Sequence, residues 1–388
     1  MPASTLIDPT VPPTRTPVSF ELFPPRTSAA EARLRTTIPA LAAADPAFIS
    51  VTYGAAGSSR GATLDIVRRV IRDAHVPPLA HLTCVGLTAD QAAHLVRRFL
   101  DAGVRHFLAL RGDPPSDGRP HSIDPSVGLG SAAELVQLIH RVQAERAQFD
   151  DALLPAEGSA RFASPAARVA DERDGSGPRL RQPGRRVEIA VAAFPNGHPR
   201  SRDLAQDLDT LLAKEAAGAT LAITQLFYRA DDYLTFVDRA RSAGVTLPIL
   251  PGIMPVASAA RLRSATSLAA EPVPADLLAL LESAATPEEA FERGADHAAA
   301  LARAVLDGGA PGLHLYTFNR HELPLAVLDR LGLAAGAASP AAGSDPAAAS
   351  PADSGAASPA AGSDPAAAVP GDPATASPDR PTIIQETP

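Results

Sequence analysis

Between Pro17 and Leu333 a short apolar or β-branched run is followed, again and again, by a turn and an amphipathic stretch of helical length. That alternation constrains the chain more than any other feature. Parallel strands need a long crossover between them, and a helix is the usual one. The strand candidates are Val18–Leu22, Phe48–Thr52, Leu79–Val85, His106–Leu110, Val187–Ala193, Leu221–Thr224, Ile249–Pro251 and Leu313–Thr317. Helical periodicity covers Ser28–Ala43, Thr63–Ala74, Thr88–Ala102, Ser131–Arg146, Ser201–Ala217 and Asp231–Ala243, then a longer pair around Val256–Leu281 and Pro287–Asp307. Ala-Gly steps at Gly103, Gly218 and Gly244 put a residue suited to left-handed backbone just past three helices. Eight βα units over about 280 residues predict an α/β fold, a (βα)8 TIM barrel in a single domain, rather than an open doubly wound sheet. The absence of a strand–GxGxxG–helix fingerprint points the same way.

The barrel is expected over residues 17–333, after a flexible start at 1–16. A low-complexity stretch at about 147–186 and an Ala/Pro/Ser-rich tail at 334–388, where GAASPAAGSDPAAA occurs twice, have too little to bury to offset their ordering entropy. They read as a disordered surface insertion and a disordered tail. A formal net charge of −8, from 35 Lys+Arg and 43 Asp+Glu, with no dense basic run, argues against nucleic-acid or anionic-membrane partners and for a small molecule. One cysteine, Cys84, permits no intrachain disulfide and no multi-cysteine metal cluster. With no signal-peptide pattern at the start and no bilayer-length apolar run, a cytoplasmic protein is expected.

In such barrels chemistry sits where strands end and βα loops begin. The polar residues fall there. Strand one carries Glu21 among Phe20, Leu22 and Phe23, where a carboxylate is costly unless paired or functional. It could form a structural ion pair with Arg111, or have a catalytic role. Strand two ends in Thr52 and Tyr53, strand three holds His81 and Thr83, and strand four runs into Arg111-Gly112-Asp113. Strand five runs into Phe194-Pro195-Asn196-Gly197-His198, and strand six into Thr224-Gln225. His81 read alone suits a satisfied core histidine, and Cys84 a small buried residue. Gly128-Leu129-Gly130-Ser131 could offer backbone N–H groups to a phosphate, while Ser131 and Glu134 read as a capping box.

Taken in order, SFELFPPRT, ISVTYGAAGSSR, HLTCVGLT, GVRHFLALRGDPP, AAFPNGHP, ATLAITQLFY, PILPGIMPV and HLYTFNR resemble the methylenetetrahydrofolate reductases, from Pro17 to Leu333. The resemblance implies a barrel that binds FAD, takes hydride from NADH or NADPH, and reduces 5,10-methylenetetrahydrofolate to the methyl form, supplying methyl groups for methionine synthesis. It makes Glu21 the general acid and puts Asp113 beside flavin and pterin. Thr52, Tyr53, Ala55, His81, Arg111, Gly112, Asp113, Ala132, Phe194, His198, Asp207 and Lys214 match cofactor-binding positions. Gln225 and Arg320 match folate-contacting ones. A homo-oligomer without a resident metal is implied, of the bacterial type that has the catalytic barrel only.

The chain departs from the family pattern after PGIMPV. Where a Gln and a large apolar residue are frequent it offers Arg261, a candidate substrate contact, and Ala265; Phe194 stands where Tyr is frequent. Two other functions fit the pattern: a non-catalytic or repurposed flavin- or folate-binding relative, and another pterin-using barrel such as a methyltransferase domain. A flavin spectrum separates them.

Overall fold

In the computed structural model, residues 15–53, 60–112, 128–152 and 186–334 are described. Ala55, Asp113, residues 153–185 and the tail beyond 334 lie outside them, as do the expectations placed there. Nine strands form one parallel sheet: β1 (Val18–Leu22), β2 (Phe48–Val51), β3 (Pro78–Thr83), β4 (His106–Leu110), β5 (Glu188–Ala193), β6 (Leu221–Thr224), β7 (Ile249–Leu250), β8 (Gly252–Ile253) and β9 (Leu313–Tyr316). Their order is β7-β6-β5-β4-β3-β2-β1-β9-β8. The two ends of the sheet are consecutive in the chain, so it wraps into the expected α/β barrel.

The seventh strand differs from the expected Ile249–Pro251. Pro251 has no N–H to give a ladder, and the strand changes partner there. Ile249 and Leu250 pair with Ala222 and Ile223 of β6, whereas Gly252 and Ile253 pair with His314 and Leu315 of β9.

The helices are α1 (Ser28–Ala42), α2 (Arg60–Arg69, continued by a π turn at Val70–Ala74), α3 (Ala89–Asp101), α4 (Ala132–Ala152), α5 (Leu204–Ala216), α6 (Ala230–Ser242), α7 (Ala259–Ala269), α8 (Ala275–Glu282), α9 (Pro287–Asp307) and α10 (Glu322–Arg330). Capping chemistry sets several starts. Thr88 and Gln91 form a reciprocal box at α3, and Asp203 and Thr286 accept from the third backbone N–H of α5 and α9. Gly103, Gly218 and Gly244 have φ of 92°, 108° and 97°, the left-handed exits expected of them. Helix α4 extends six residues past the expected Arg146, because 147–152 contains no Gly or Pro to stop it. The sequence pattern misses α10, whose nine residues include Pro324 and bury only one narrow face, Pro324, Val327 and Leu328.

Strand side chains alternate between two cores, as a period of two requires. Phe20, Leu22, Ile49, Val51, Phe107, Ile189 and Val191 pack outward against the helices. Phe48, Leu79, Leu108, Leu110, Ala190, Ala192, Leu221 and Ile223 fill the barrel interior. On β1, β2, β3 and β9 that interior layer also takes buried polar residues: Ser19, Glu21, Ser50, His81 and His314. Among the described residues no helix is long and apolar enough to cross a membrane.

Candidate active site

Glu21 is held on the inward face of β1, in register with Ser50 of β2 and Tyr316 of β9. It is 4% exposed, and its Oε2 has no hydrogen-bond partner. Two histidines flank that oxygen, His81 Nε2 at 3.6 Å and His314 Nε2 at 3.9 Å, and neither nitrogen has a hydrogen-bond partner of its own. Burial pushes the Glu21 carboxyl well above the usual carboxylate range. Burial also lowers both imidazoles, with His314 adding to the effect on His81, so that each titrates at about 3. Near neutral pH both rings are therefore neutral, and burial favours the protonated form of the carboxyl between them.

The Arg111 ion pair offered by the sequence is not what Glu21 meets; among the described residues its carboxylate has His81 and His314 within 4 Å. Nor is His81 a satisfied core histidine, since its Nε2 is buried without a hydrogen bond. Cys84 does behave as a small buried residue, its Sγ facing the carbonyl oxygens of Arg111 and Ser131 at 3.5 and 3.7 Å. The Gly128–Ser131 turn supplies its own anion. Glu134 caps α4 by accepting from the Gly130 N–H at 2.9 Å, and its N–H bonds the Ser131 hydroxyl at 3.2 Å, so the capping box forms and the Gly130 N–H is taken within the chain.

A second group gathers at the ends of β4 and β5. Phe194 and His198 meet edge-to-face at 4.7 Å, and the His198 N–H donates to Asp207 Oδ2 at 2.9 Å. Its Nδ1 accepts from the Arg200 N–H at 3.1 Å, and burial brings its titration down to about 4, with Lys214, Arg200 and Arg111 adding to the effect and Asp207 opposing it. Lys214 reaches back from α5 to the Ala192 carbonyl at 3.1 Å. Gly112 needs its φ of 89°, and a Cβ there would stand 2.9 Å from Thr83 and Val85. Thr52 and Tyr53 are buried at the end of β2, and Ala132 is buried at the start of α4. Gln225 is buried just past β6, and its side-chain oxygen accepts from the Leu226 N–H at 2.9 Å.

The third group lies over the β8 and β9 ends. A cavity of about 380 Å³ is lined by Pro255, Arg261, Phe291, Tyr316, Phe318 and Arg320, among others. A smaller one of about 140 Å³ shares Arg261, Phe318 and Arg320 with it and adds Arg33. The Arg261 guanidinium lies over the Phe318 ring at 4.5 Å, and Arg320 and Arg33 are close enough to hold its pKa down beyond the effect of burial. Phe318 and Asn319 are both left-handed, with φ of 51° and 57°. Asn319 secures that strained turn by bonding both the N–H and the carbonyl of Phe23, at 2.9 and 2.8 Å. Ala265 is fully enclosed among Leu262, Ala269, Leu277 and their neighbours, so it presents no surface to a ligand.

The sequence profile of the methylenetetrahydrofolate reductases matches residues 8–170 and 179–332. The chain belongs to the methylenetetrahydrofolate reductase family. The 5,10-methylenetetrahydrofolate reductase of Salmonella typhimurium is 32% identical over 321 residues, covering 82% of this chain and 92% of the relative, and that of Escherichia coli matches equally well. The maize methylenetetrahydrofolate reductase (NADH) 1 is 30% identical over 329 residues, and the match spans 49% of its length. Among solved structures, a Clostridium thermocellum protein described as binding two copies of 5-methyl-5,6,7,8-tetrahydrofolic acid superposes with a TM-score of 0.50 at 12% identity, over 81% of this chain and 94% of that one, a likeness of fold.

Within this reductase barrel, sequence reasoning missed Ser19, Ser50, His314, Phe318, Asn319 and Arg33. Ser19 stands two residues before Glu21, and His314 two before Tyr316, so the strand period alone places each on its neighbour's face. That was the available signal. Arg33 gives none, because a surface arginine on α1 looks like any other. No set of three or more His, Cys, Asp or Glu among the described residues is arranged to hold a metal ion.

Proposed function

We propose that this protein reduces 5,10-methylenetetrahydrofolate to 5-methyltetrahydrofolate, using FAD and either NADH or NADPH. Family membership supports the reaction class, and one observation carries the assignment of residues. Glu21 is a buried carboxyl on the inward face of a strand, its pKa raised by burial, and its Oε2 has no hydrogen-bond partner. The methylene bridge resists hydride until its ring opens to an iminium, and protonation at N10 promotes that opening. A carboxyl whose protonated form is favoured by burial can give that proton.

The residues at the β4 and β5 ends suit FAD in their chemistry. Arg111, Lys214 and Arg200 gather positive charge around His198, as a pyrophosphate or ribityl chain requires, and Thr52, Tyr53, His81, Gly112, Ala132, Phe194 and Asp207 match the family's cofactor-binding positions. Ala55 and Asp113 belong to this set by their motifs. When bound, FAD supplies hydride transfer between the nicotinamide and the folate. Gln225 orients the pterin. Arg261 and Arg320, with Arg33 beside them, have no carboxylate partner among the described residues and meet the negative charge of the folate's glutamate end, while Phe318 gives that pocket an apolar floor.

The test is Glu21→Gln, which keeps size and removes the acid. Reduction of the flavin by NAD(P)H needs no proton from the protein, so stopped-flow should show that half-reaction near wild type while the folate half-reaction slows roughly 10²–10⁴-fold. Equal losses in both would assign Glu21 a structural role.

A further inference from the structure

Glu21 alone does not explain why its proton stays in place. The explanation begins one strand position earlier, at Ser19. Its hydroxyl lies 3.1 Å from the Leu313 carbonyl oxygen and 2.8 Å from His314 Nδ1. A hydroxyl has a single proton. With that proton on the carbonyl, the hydroxyl oxygen accepts from His314, and Nδ1 carries the ring's hydrogen. The ring cannot turn to escape this arrangement. It is stacked on Phe48 at 5.9 Å and 21°, and Tyr316 stands edge-on to it at 5.3 Å and 83°.

We propose that Ser19 and His314 are positioning residues for Glu21: the Ser19 hydroxyl fixes His314 as the Nδ1–H tautomer, so that Nε2 turns a lone pair toward Glu21 Oε2 and keeps the carboxyl in its proton-bearing form. The opposite tautomer would point an N–H at the same oxygen and favour the carboxylate. The other groups facing Glu21 bring no cation to it near pH 7: His81 on β3 is neutral, the Tyr316 hydroxyl on β9 is committed to the Thr224 carbonyl, and Ser50 on β2 carries no charge. In turnover the Glu21 O–H bond breaks as the N–H bond forms on the substrate nitrogen, and the carboxylate regains its proton from water.

The inference rests on Glu21 as the acid, but its tests do not depend on turnover. In wild-type protein with ¹⁵N-labelled histidine, the His314 resonances, assigned by their loss in His314→Gln, should show protonated Nδ1 and bare Nε2 near pH 7. A protonated Nε2 overturns the proposal. The protonated-carboxyl stretch of Glu21, identified in the infrared spectrum by its loss in Glu21→Gln, should titrate about one pH unit or more lower in Ser19→Ala and return toward the wild-type midpoint in Ser19→Thr. An unchanged midpoint in Ser19→Ala also overturns it. If the tautomer and the shifted midpoint are found but Glu21→Gln still reduces folate at the wild-type rate, the positioning role stands and the catalytic reading of Glu21 falls.

Discussion

The Tyr316 hydroxyl donates a 2.9 Å hydrogen bond to the carbonyl oxygen of Thr224, joining the last strand of the barrel to the sixth across the split seventh strand. Gly252 lies between them and donates its own N–H to Thr224 Oγ1 at 2.8 Å. A Cβ on Gly252 would stand 2.2 Å from the Thr224 carbonyl oxygen and 2.9 Å from the Tyr316 ring. Backbone cannot yield by that much without opening the seam. Gly252→Ala should therefore cost about 1–3 kcal/mol or more, the scale of core overpacking, measured by denaturant unfolding. A variant as stable as wild type would mean that the seam gives way easily.

Stability should depend on pH through the buried histidines. His81 and His314 titrate at about 3 in the folded protein, against an ordinary value near 6.5, so between those values the unfolded chain binds more protons. Their contribution is complete above about pH 6.5 and is lost as pH falls toward 3. Glu21 acts oppositely: its raised pKa makes the folded state bind more protons, and its effect on stability becomes unfavourable as pH rises above the ordinary carboxylate value. Melting temperatures of wild type and His314→Gln from pH 4 to 8 test this. The variant should lose less stability on acidification, and parallel curves would reject the role of His314.

Ala265→Phe should not tighten the binding of either substrate, although the family pattern suggests an aromatic near this segment. Ala265 has no exposed surface, and a phenyl ring must displace its packed neighbours on α7 and α8. A loss of about 1–3 kcal/mol in stability is expected. A lowered Michaelis constant for folate, with stability retained, would show that the site opens there.

The arginine pocket should separate by burial. Arg33 is exposed, so Arg33→Ala should weaken folate binding by about 0.5–1 kcal/mol, a few-fold in the Michaelis constant. Arg261 is half-buried over Phe318, and Arg261→Ala should cost roughly tenfold or more. Flavin reduction by NAD(P)H should hardly change in either variant. Equal effects on both half-reactions would place these arginines in general folding instead.

The barrel was legible in the chain because each of its layers has its own period: two along strands whose faces meet different cores, 3.6 along helices, and Gly just past the helix ends. Glu21 stood out because a carboxylate at an apolar strand end is costly unless paired or functional, whereas Arg111, His198 and Gln225 were legible only as polar residues at strand ends, and His81 read alone looked like a satisfied core histidine. What tertiary structure alone decided is who meets whom. Glu21 and His314 are far apart in sequence, and only the register of β1 against β9 brings the histidine rather than Arg111 to the carboxylate. Pro251 could be read as a strand end but not as the point where one strand hands over from β6 to β9, since that depends on which neighbours the closing sheet supplies. Arg33 joins Arg261 and Arg320 because α1 and α7 flank the same barrel mouth. Local periodicity determines which face a residue occupies, whereas long-range packing determines the partner found there.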